Sequence, residues 1–326
     1  MSLKSFCQSC INEIIGMRNR ILNTVDPPVL VLVYHRVTDL SYDPQLLAVS
    51  PDNFINQINY LKNNFAVLRF EDNWSNIKEP SIVITFDDGY ADNVRVALPI
   101  LEKAGVPATF FVTSGVLGSL RDFWWDDLER ILLEDRVFPS TFILQDQLFG
   151  KKWPTKSNVE RMVLYQDLQQ LFKRVDGTCR EVWIQQLLDW AVIGDEGRAS
   201  HRVMTMNELL QLASSKLVTI GAHSVSHAPL AVLSNDQQQR EIFESKRHLE
   251  ELTGRNISVF SYPFGGKGDY TTESVRLCRK AGYIRAASNY PGQVHRWTDS
   301  HQIPRHLVRN WQIEMFQRKI QEFFYR

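Results

Sequence analysis

Two adjacent aspartates at the end of an apolar run are the first residues that could do chemistry. The run Ser81–Phe86 leads directly into Asp87, Asp88 and Gly89. Carboxylates beside a buried strand are costly to bury unless something binds there. Adjacent strand residues point to opposite faces, so if the chain bends at Gly89 one aspartate could bind a metal while the other stays free as a base. The alternative is a helix cap or turn before the segment 90–103.

A second pattern places two imidazoles close together in the sequence. His223-Ser-Val-Ser-His227 spaces its histidines by one helical turn, so both could reach a single ion. Alone the pattern is weak, because surface pairs of this kind are common. A carboxylate from another strand end would complete a two-histidine, one-carboxylate ligand set with open positions.

The elements that must position these residues alternate between short apolar runs and amphipathic segments. Continuous apolar strands separated by helices indicate parallel βαβ units buried on both faces. Eight such runs favour a closed or nearly closed barrel, with an open doubly wound sheet as the alternative. The predicted strands are 29–34, 67–70, 81–86, 108–113, 217–222, 257–262, 283–288 and 303–308, and the predicted helices include 51–63, 92–103, 236–252 and 272–281.

Polar residues cluster at the ends of these predicted strands, where a parallel barrel or sheet collects its chemistry. Besides the aspartates and the histidine pair, His35 follows the first strand, and Pro263-Phe264-Gly265-Gly266 follows the strand over 257–262. Arg305 and His306 lie near the last strand.

The segment from about 120 to 200 breaks the strand rhythm and is predicted to be a mostly helical insertion, with helices over 125–133 and 160–173. We expect an N-terminal amphipathic helix over 1–28 and one domain over 29–326 that contains this insertion. Trp124, at the start of an insertion helix, is a candidate for stacking on a sugar ring, with a place in the core as the alternative.

Composition excludes several classes of function. Lys+Arg and Asp+Glu both number 37, so no global positive field favours nucleic acid. Four cysteines are too few for a disulfide framework in a chain of 326 residues. The N-terminus shows no secretory signal, which predicts a cytoplasmic protein, and its amphipathic stretch either docks on the domain or makes peripheral contact with a membrane.

Several of these motifs together resemble the polysaccharide deacetylases of the NodB-homology type, carbohydrate esterase family four. They are Thr85-Phe-Asp-Asp-Gly89, the His223/His227 pair and Phe260-Ser-Tyr-Pro-Phe-Gly265, with further similarity around Tyr34-His35 and over 104–112. The similarity covers roughly 29–120 and 200–310. It implies an α/β fold, a distorted (β/α)7-type barrel interrupted by the helical insertion.

The resemblance also implies a role for each matching residue. Asp87 would be the general base, and Asp88, His223 and His227 would bind a divalent metal, usually zinc. A backbone N–H near Phe264 would stabilise the oxyanion, with Tyr262 and Trp124 as further substrate-side candidates. The implied substrate is an N-acetylated amino sugar.

Two departures from the better-studied relatives leave roles open. Where they have an arginine that orients the base, this chain has Ser261, and Arg305 is the candidate to replace that arginine. The motif that supplies the general acid has no clear match, which leaves His35 and His306 as candidates, His35 being favoured because it follows an unambiguous strand.

We therefore expect a metal-dependent deacetylase acting on an amino sugar in a polysaccharide or in its lipid- or nucleotide-linked precursor, in bacterial surface polysaccharide biosynthesis. The alternatives are a deformylase of a lipid-linked amino sugar, a non-haem iron oxygenase with the same ligand types, and a catalytically inactive sugar-binding homologue.

Overall fold

The computed structural model describes residues 16, 18–146 and 149–325, and a parallel sheet with helices on its outside forms its centre. The main sheet has eight strands in the order β11-β10-β9-β6-β5-β1-β12, with β4 beside the first half of β5. The strands are β1 (Val29–Tyr34), β2 (Arg36–Val37), β3 (Ala48–Val49), β4 (Ala66–Leu68), β5 (Ser81–Phe86), β6 (Ala108–Val112), β7 (Thr141–Gln145), β8 (Gly150–Pro154), β9 (Val218–Ala222), β10 (Val259–Ser261), β11 (Arg285–Ala287) and β12 (His306–Leu307).

Helices connect these strands, most of them with caps that the sequence provides. The N-cap hydroxyl of Ser50 accepts from the backbone N–H of Asn53, and Pro51 follows it at the start of the first helix. The α-helices are α1 (Pro51–Asn64), α2 (Leu98–Ala104), α3 (Trp124–Leu133), α4 (Asn158–Phe172), α5 (Gly177–Ala191), α6 (Met206–Ser214), α7 (Asn235–Thr253), α8 (Thr272–Lys280) and α9 (Ile313–Tyr325).

The sheet curls until its two edges approach each other. β12 pairs with β1, and just before β12, Ile303 forms a parallel bridge to Ala287 at the end of β11. The segment 303–307 therefore contacts both edges and nearly closes the barrel. This confirms the expected α/β fold, a distorted barrel of the (β/α)7 type, and each of the eight predicted strands has a counterpart in the main sheet.

The alternation of side chains along the strands separates two apolar layers. Val31, Val83, Phe111 and Val259 pack together inside the barrel, whereas Leu32 and its neighbours pack against the outer helices. Since both faces of the sheet are covered, the strands read as continuous apolar runs in the sequence. In β5 the interior set continues through Thr85 to Asp87, so Asp87 reaches the barrel interior at the carboxyl end of the strand.

The insertion has its own apolar cluster. α3, α4 and α5 bury Leu128, Leu168 and Trp183 together with Phe142 and Trp153 from the hairpin of β7 and β8. The helices predicted over 125–133 and 160–173 are observed as α3 and α4. The β7–β8 hairpin was not predicted, because its two strands are short and half exposed.

The predicted N-terminal helix over 1–28 lies largely outside the described residues, which omit 1–15 and 17. The backbone is helical over 18–25, and the Asn23 side chain donates a hydrogen bond of 2.8 Å to the carbonyl of Phe324 in α9. Among the described residues, no helix combines the length and the apolar character needed to cross a membrane.

Candidate metal centre and active site

Because of a tight turn at the end of β5, the side chains of the two aspartates point in different directions. Asp88 has a φ of +76° and Gly89 a φ of +94°, and the Gly89 N–H donates to the Asp87 carbonyl at 3.0 Å. Positive φ is strained for a residue with a Cβ, so the bend begins one residue earlier than the sequence suggested. Asp87 therefore faces the barrel interior, while Asp88 faces the histidine pair.

Asp88, His223 and His227 converge on one point. The Asp88 Oδ1 lies 3.2 Å from the His227 Nε2 and 3.5 Å from the His223 Nε2, and all three side chains are buried. The His223 Nδ1 bonds the Ser261 carbonyl at 2.8 Å, which makes Nδ1 the protonated nitrogen and leaves the Nε2 lone pair for a ligand. Two imidazoles and one carboxylate with open positions fit a divalent metal such as zinc.

Asp87 is paired with Arg305, and the pair is inside the barrel. The Arg305 Nη1 and Nη2 donate to the two Asp87 oxygens at 2.7 and 2.6 Å, a bidentate arrangement. Ser261 joins them, since its hydroxyl accepts from Arg305 at 2.9 Å and donates to Asp87 at 3.2 Å. The Arg305 Nε donates to the Ser288 carbonyl at 2.7 Å, so the guanidinium is fixed on several sides.

The charges of this cluster set the protonation states. Burial raises the pKa of Asp87, but Arg305 and His223 outweigh it and hold that pKa below its usual value. Burial opposes ionisation of Asp88 as well, yet its interactions with the imidazoles of His223 and His227 bring its pKa well below normal. Both carboxyl groups are therefore ionised at neutral pH, as a base and a ligand require.

A second group of potential ligands, Asp126, Glu129 and His201, differs from the first in its electrostatics. The Glu129 carboxylate accepts from Arg198 at 2.8 Å, and Asp126 accepts from the hydroxyl of Tyr90 at 2.7 Å. Burial, with smaller contributions from the charges of Arg36 and Arg198, lowers the pKa of His201 to about 3, so this imidazole is neutral at pH 7. Among the described residues, neither lysine nor arginine pairs with Asp88, so the Asp88 cluster is the better metal centre.

His35 lies at the site, as its position after β1 predicted. β1 and β5 run in register from Val29 opposite Ser81 to Tyr34 opposite Phe86, so His35 and Asp87 leave the sheet at the same level. Burial lowers the pKa of His35, against the opposing charges of Asp88 and Asp87. Its buried Nδ1 has no hydrogen-bond partner among the described residues.

His306 and Tyr262 do not reach the site, which corrects two of the candidates from the sequence. Neighbouring strand residues point to opposite faces, so the inward Arg305 and Ser261 direct the next residue outward. The His306 ring stacks on Phe323 of α9 at 3.9 Å. The Tyr262 hydroxyl donates to the His301 carbonyl at 3.0 Å, and its ring stacks on Tyr270 in the outer core.

Aromatic side chains surround the histidines on the insertion side. Trp124 is 9% exposed and packs within the insertion cluster, so it presents little surface to a sugar ring. Its neighbour Trp125 lies 4.7 Å from the His227 ring, and Phe264 lies 4.8 Å from that ring on another side. Trp125 donates to the hydroxyl of Tyr90, which follows the aspartate turn.

Replacing Arg305 by glutamine should destabilise the fold strongly. The change leaves a buried, ionised Asp87 without its cation, which costs about 3–5 kcal/mol of the free energy of unfolding. Arg279→Gln is the matched control, because the Arg279 Nη2 donates to both Asp299 oxygens at the surface and this pair should contribute less than about 1 kcal/mol. Urea unfolding at pH 7 measures both values.

The difference in the free energy of unfolding between the Arg305→Gln and Arg279→Gln variants should also become smaller at acidic pH. The pKa of Asp87 is lowered in the folded state, so the pair stabilises the fold above the unfolded pKa of an aspartate and this stabilisation is lost as pH falls through the folded pKa. Equal stability losses for the two arginine variants at pH 7 would contradict the assignment of a buried pair.

Known proteins resemble this chain in sequence and in fold. The family model described as "Polysaccharide deacetylase" matches residues 75–141 and 190–286, half of the chain, with the gap at the insertion. YxkH of Bacillus subtilis (strain 168), which carries the name of a polysaccharide deacetylase, is 21% identical over 235 residues, or 71% of this chain. The alignment covers 53% of YxkH, so the chain spans about half the length of that relative.

Solved structures share the fold at low identity. IcaB from Ammonifex degensii superposes with a TM-score of 0.59 at 17% identity, covering 92% of this chain and 97% of IcaB. The deacetylase PplD from Streptococcus pyogenes, solved in complex with acetate, gives a TM-score of 0.57 at 16% identity and covers 90% of this chain and 98% of its own. With the strand-end aspartates and the histidine pair in place, the chain belongs to the polysaccharide deacetylase family.

Proposed function

We propose that this protein is a metal-dependent deacetylase that hydrolyses the N-acetyl group of an amino sugar. The observation that carries the proposal is the division of the two aspartates: Asp88 joins two histidines as a candidate ligand set, while Asp87 lies beside it, outside the ligand set and paired with Arg305. A catalytically inactive sugar-binding protein would have no use for this division.

The metal centre would be formed by Asp88, His223 and His227, with zinc as the proposed ion. A divalent ion held there would polarise the acetyl carbonyl and lower the pKa of a water molecule. The carbonyl of Ser261 fixes the tautomer of His223, and the buried triad excludes bulk water from the ligand atoms.

Asp87 would act as the general base. Its carboxylate is ionised at neutral pH and is held by Arg305 and Ser261, so it can accept the proton of the attacking water without moving. Arg305 is proposed as the positioning residue of that base, in place of the arginine that relatives carry at the position of Ser261. Because both Asp87 oxygens also accept from Arg305, Asp87 would have to release this proton readily at the end of the cycle, while the amine takes its proton from a separate acid.

His35 is the proposed general acid, and the backbone N–H of Phe264 the proposed oxyanion donor. His35 is buried beside both aspartates, and its Nδ1 has no hydrogen-bond partner within the described part of the chain, which suits transfer of a proton to the departing amine. Phe264 has a φ of +59°, in a loop directly after β10 that packs on the His227 ring.

For the substrate, we propose an N-acetylated amino sugar of a bacterial surface polysaccharide or its lipid- or nucleotide-linked precursor, handled in the cytoplasm. The apolar and basic character of the N-terminal sequence, which would suit a lipid-linked substrate at a membrane surface, is the support for this part. PplD was crystallised with acetate, the product that deacetylation by this chain would release.

The proposed reaction should release acetate. The purified zinc-loaded protein would be incubated with N-acetylglucosamine oligomers, with a nucleotide-linked N-acetyl sugar, with a lipid-linked N-acetyl sugar and with a lipid-linked N-formyl sugar, and acetate and formate would be quantified. Acetate from any class, absent with Asp87→Asn, supports the proposal. Formate from a formylated sugar would favour the deformylase, and silence from all substrates would favour the inactive homologue.

Substitutions of the two aspartates should have different effects on metal binding. Asp88→Ala should lose the metal, whereas Asp87→Asn should keep it and lose turnover by on the order of 10²–10⁴-fold, because it removes only the base. Asp126→Asn in the second carboxylate cluster is the control and should keep the metal. Elemental analysis after dialysis measures all three, and equal metal loss in both Asp87 and Asp88 variants would refute the division of roles.

The two histidine candidates for the general acid should differ in activity. His35→Asn should lower kcat by about 10²-fold or more, because proton donation to the amine is lost. His306→Asn, which alters a ring stacked on the outer helix, should leave kcat nearly unchanged. Steady-state acetate release with matched zinc content measures both, and a larger loss for the His306 variant would reverse the assignment.

A further inference from the structure

The loop that joins the two histidine ligands has an unusual backbone. Ser224 and His227 have φ values of +61° and +55°, and neither is glycine. Such conformations persist in side-chain-bearing residues only when the surroundings hold them in place. The contacts of this loop therefore decide whether the two imidazoles face the same point.

One side of the loop is held by the turn after β6. The N–H groups of Ser114 and Gly115 donate to the carbonyls of Ser224 and Val225 at 3.1 and 2.9 Å. The approach is close, since a Cβ on Gly115 would lie 2.6 Å from the Val225 carbonyl oxygen. These contacts satisfy the carbonyls of the loop but leave its N–H groups to find other acceptors.

On its other side, the loop donates hydrogen bonds to a single carboxylate, that of Glu241 in α7. Its Oε2 accepts from the N–H groups of Val225 and Ser226 at 2.8 and 2.9 Å, and its Oε1 accepts from the Ser226 hydroxyl at 2.6 Å. Hydrogen bonds to an ionised acceptor are about twice as strong as neutral ones. The helix that carries Glu241 is itself fixed, because Ser234 caps it with a capping box and Ile242 is buried against the barrel.

The two histidines depend on this loop to different degrees. The His223 ring is oriented by its own hydrogen bond to the Ser261 carbonyl. His227 is 4% exposed, and its Nδ1 has no partner among the residues that the structure describes. Apart from the contact of its Nε2 with Asp88, the His227 ring is therefore positioned by the backbone of the loop and by packing against Trp125 and Phe264.

We propose that Glu241 is a positioning residue of the metal centre, which holds the loop over 224–226 so that His227 meets Asp88 and His223 at one ion. Glu241 touches none of the ligands, and it acts through the backbone N–H groups of the loop. The inference rests on the proposed metal site and adds a residue outside the motifs that pointed to that site.

The test uses Glu241→Gln in the full chain, with zinc alone as the probe. Glutamine has the same size but carries no charge, and its amide nitrogen cannot accept a hydrogen bond. We expect zinc affinity, measured by competition with a chromogenic chelator, to fall by about 10–100-fold, as for other residues that position metal ligands without binding the metal. Glu251→Gln on the same helix, where Glu251 pairs with Arg247 at the surface, is the matched control and should bind as the wild type does.

Two further readouts separate positioning from general stability. The melting temperature of the metal-free Glu241→Gln protein should stay close to that of the metal-free wild type, and backbone amide exchange at residues 225 and 226 should accelerate. Ser226→Ala, which removes one of the three bonds, should lower zinc affinity by only a few-fold. Unchanged zinc affinity in Glu241→Gln, or a loss that the metal-free melting temperature fully accounts for, would overturn the proposal.

The outcomes also distinguish this inference from the proposed function. A wild-type protein that binds no zinc would reject the metal centre itself. A wild-type protein that binds zinc and releases acetate, beside a Glu241→Gln variant that does both equally well, would reject the role of Glu241 alone.

Discussion

The buried pair between Arg305 and Asp87 is the interaction on which the rest of the site depends. Placing a carboxylate and a guanidinium inside an apolar barrel carries a large desolvation cost, which close bidentate geometry and further hydrogen bonds must offset. Here the guanidinium contacts Thr85, Asp87, Ser261 and the Ser288 carbonyl, so the segment before β12 is linked to β5, β10 and the end of β11. The same contacts that keep Asp87 ionised also hold together the carboxyl ends of the strands around it.

A single turn then separates two adjacent carboxylates into unlike environments. The left-handed backbone of Asp88 turns its side chain towards two imidazoles, while Asp87 remains in the pattern of the barrel interior. The Asp88 side chain faces two imidazoles, and the Asp87 side chain faces a fixed guanidinium. The local backbone thus gives the two carboxylates different surroundings, and helix α7 hydrogen-bonds to the loop between the two histidines through Glu241.

Much of this arrangement could be predicted from the sequence, because the buried strands of a parallel barrel are continuous apolar runs. β1 and β5 have the predicted bounds, and the residues at the ends of β5 and β9 form the candidate centre. The errors have a common cause in the two-residue period of strands. Near β12 and after β10, the sequence does not indicate which of two neighbouring residues faces inward. His306 is therefore predicted beside Arg305 although only Arg305 faces the interior, and Tyr262 is predicted although its neighbour Ser261 faces inward. Glu241 carried no signal, since a glutamate on an exposed helix resembles any solvated residue.

The position of Arg305 also bears on how this chain could have diverged from relatives with an arginine at the position of Ser261. The guanidinium that pairs with Asp87 comes from the far end of the sequence, and the small Ser261 side chain leaves it room. A second arginine at position 261 would bring two cations to one carboxylate in a closed space, and losing Arg305 first would leave that carboxylate without any. Neither single exchange should be neutral for the stability of the fold, so substitutions at positions 261 and 305 should be coupled. A motif search that requires an arginine at position 261 would therefore miss a chain in which the arginine that pairs with the aspartate comes from another strand.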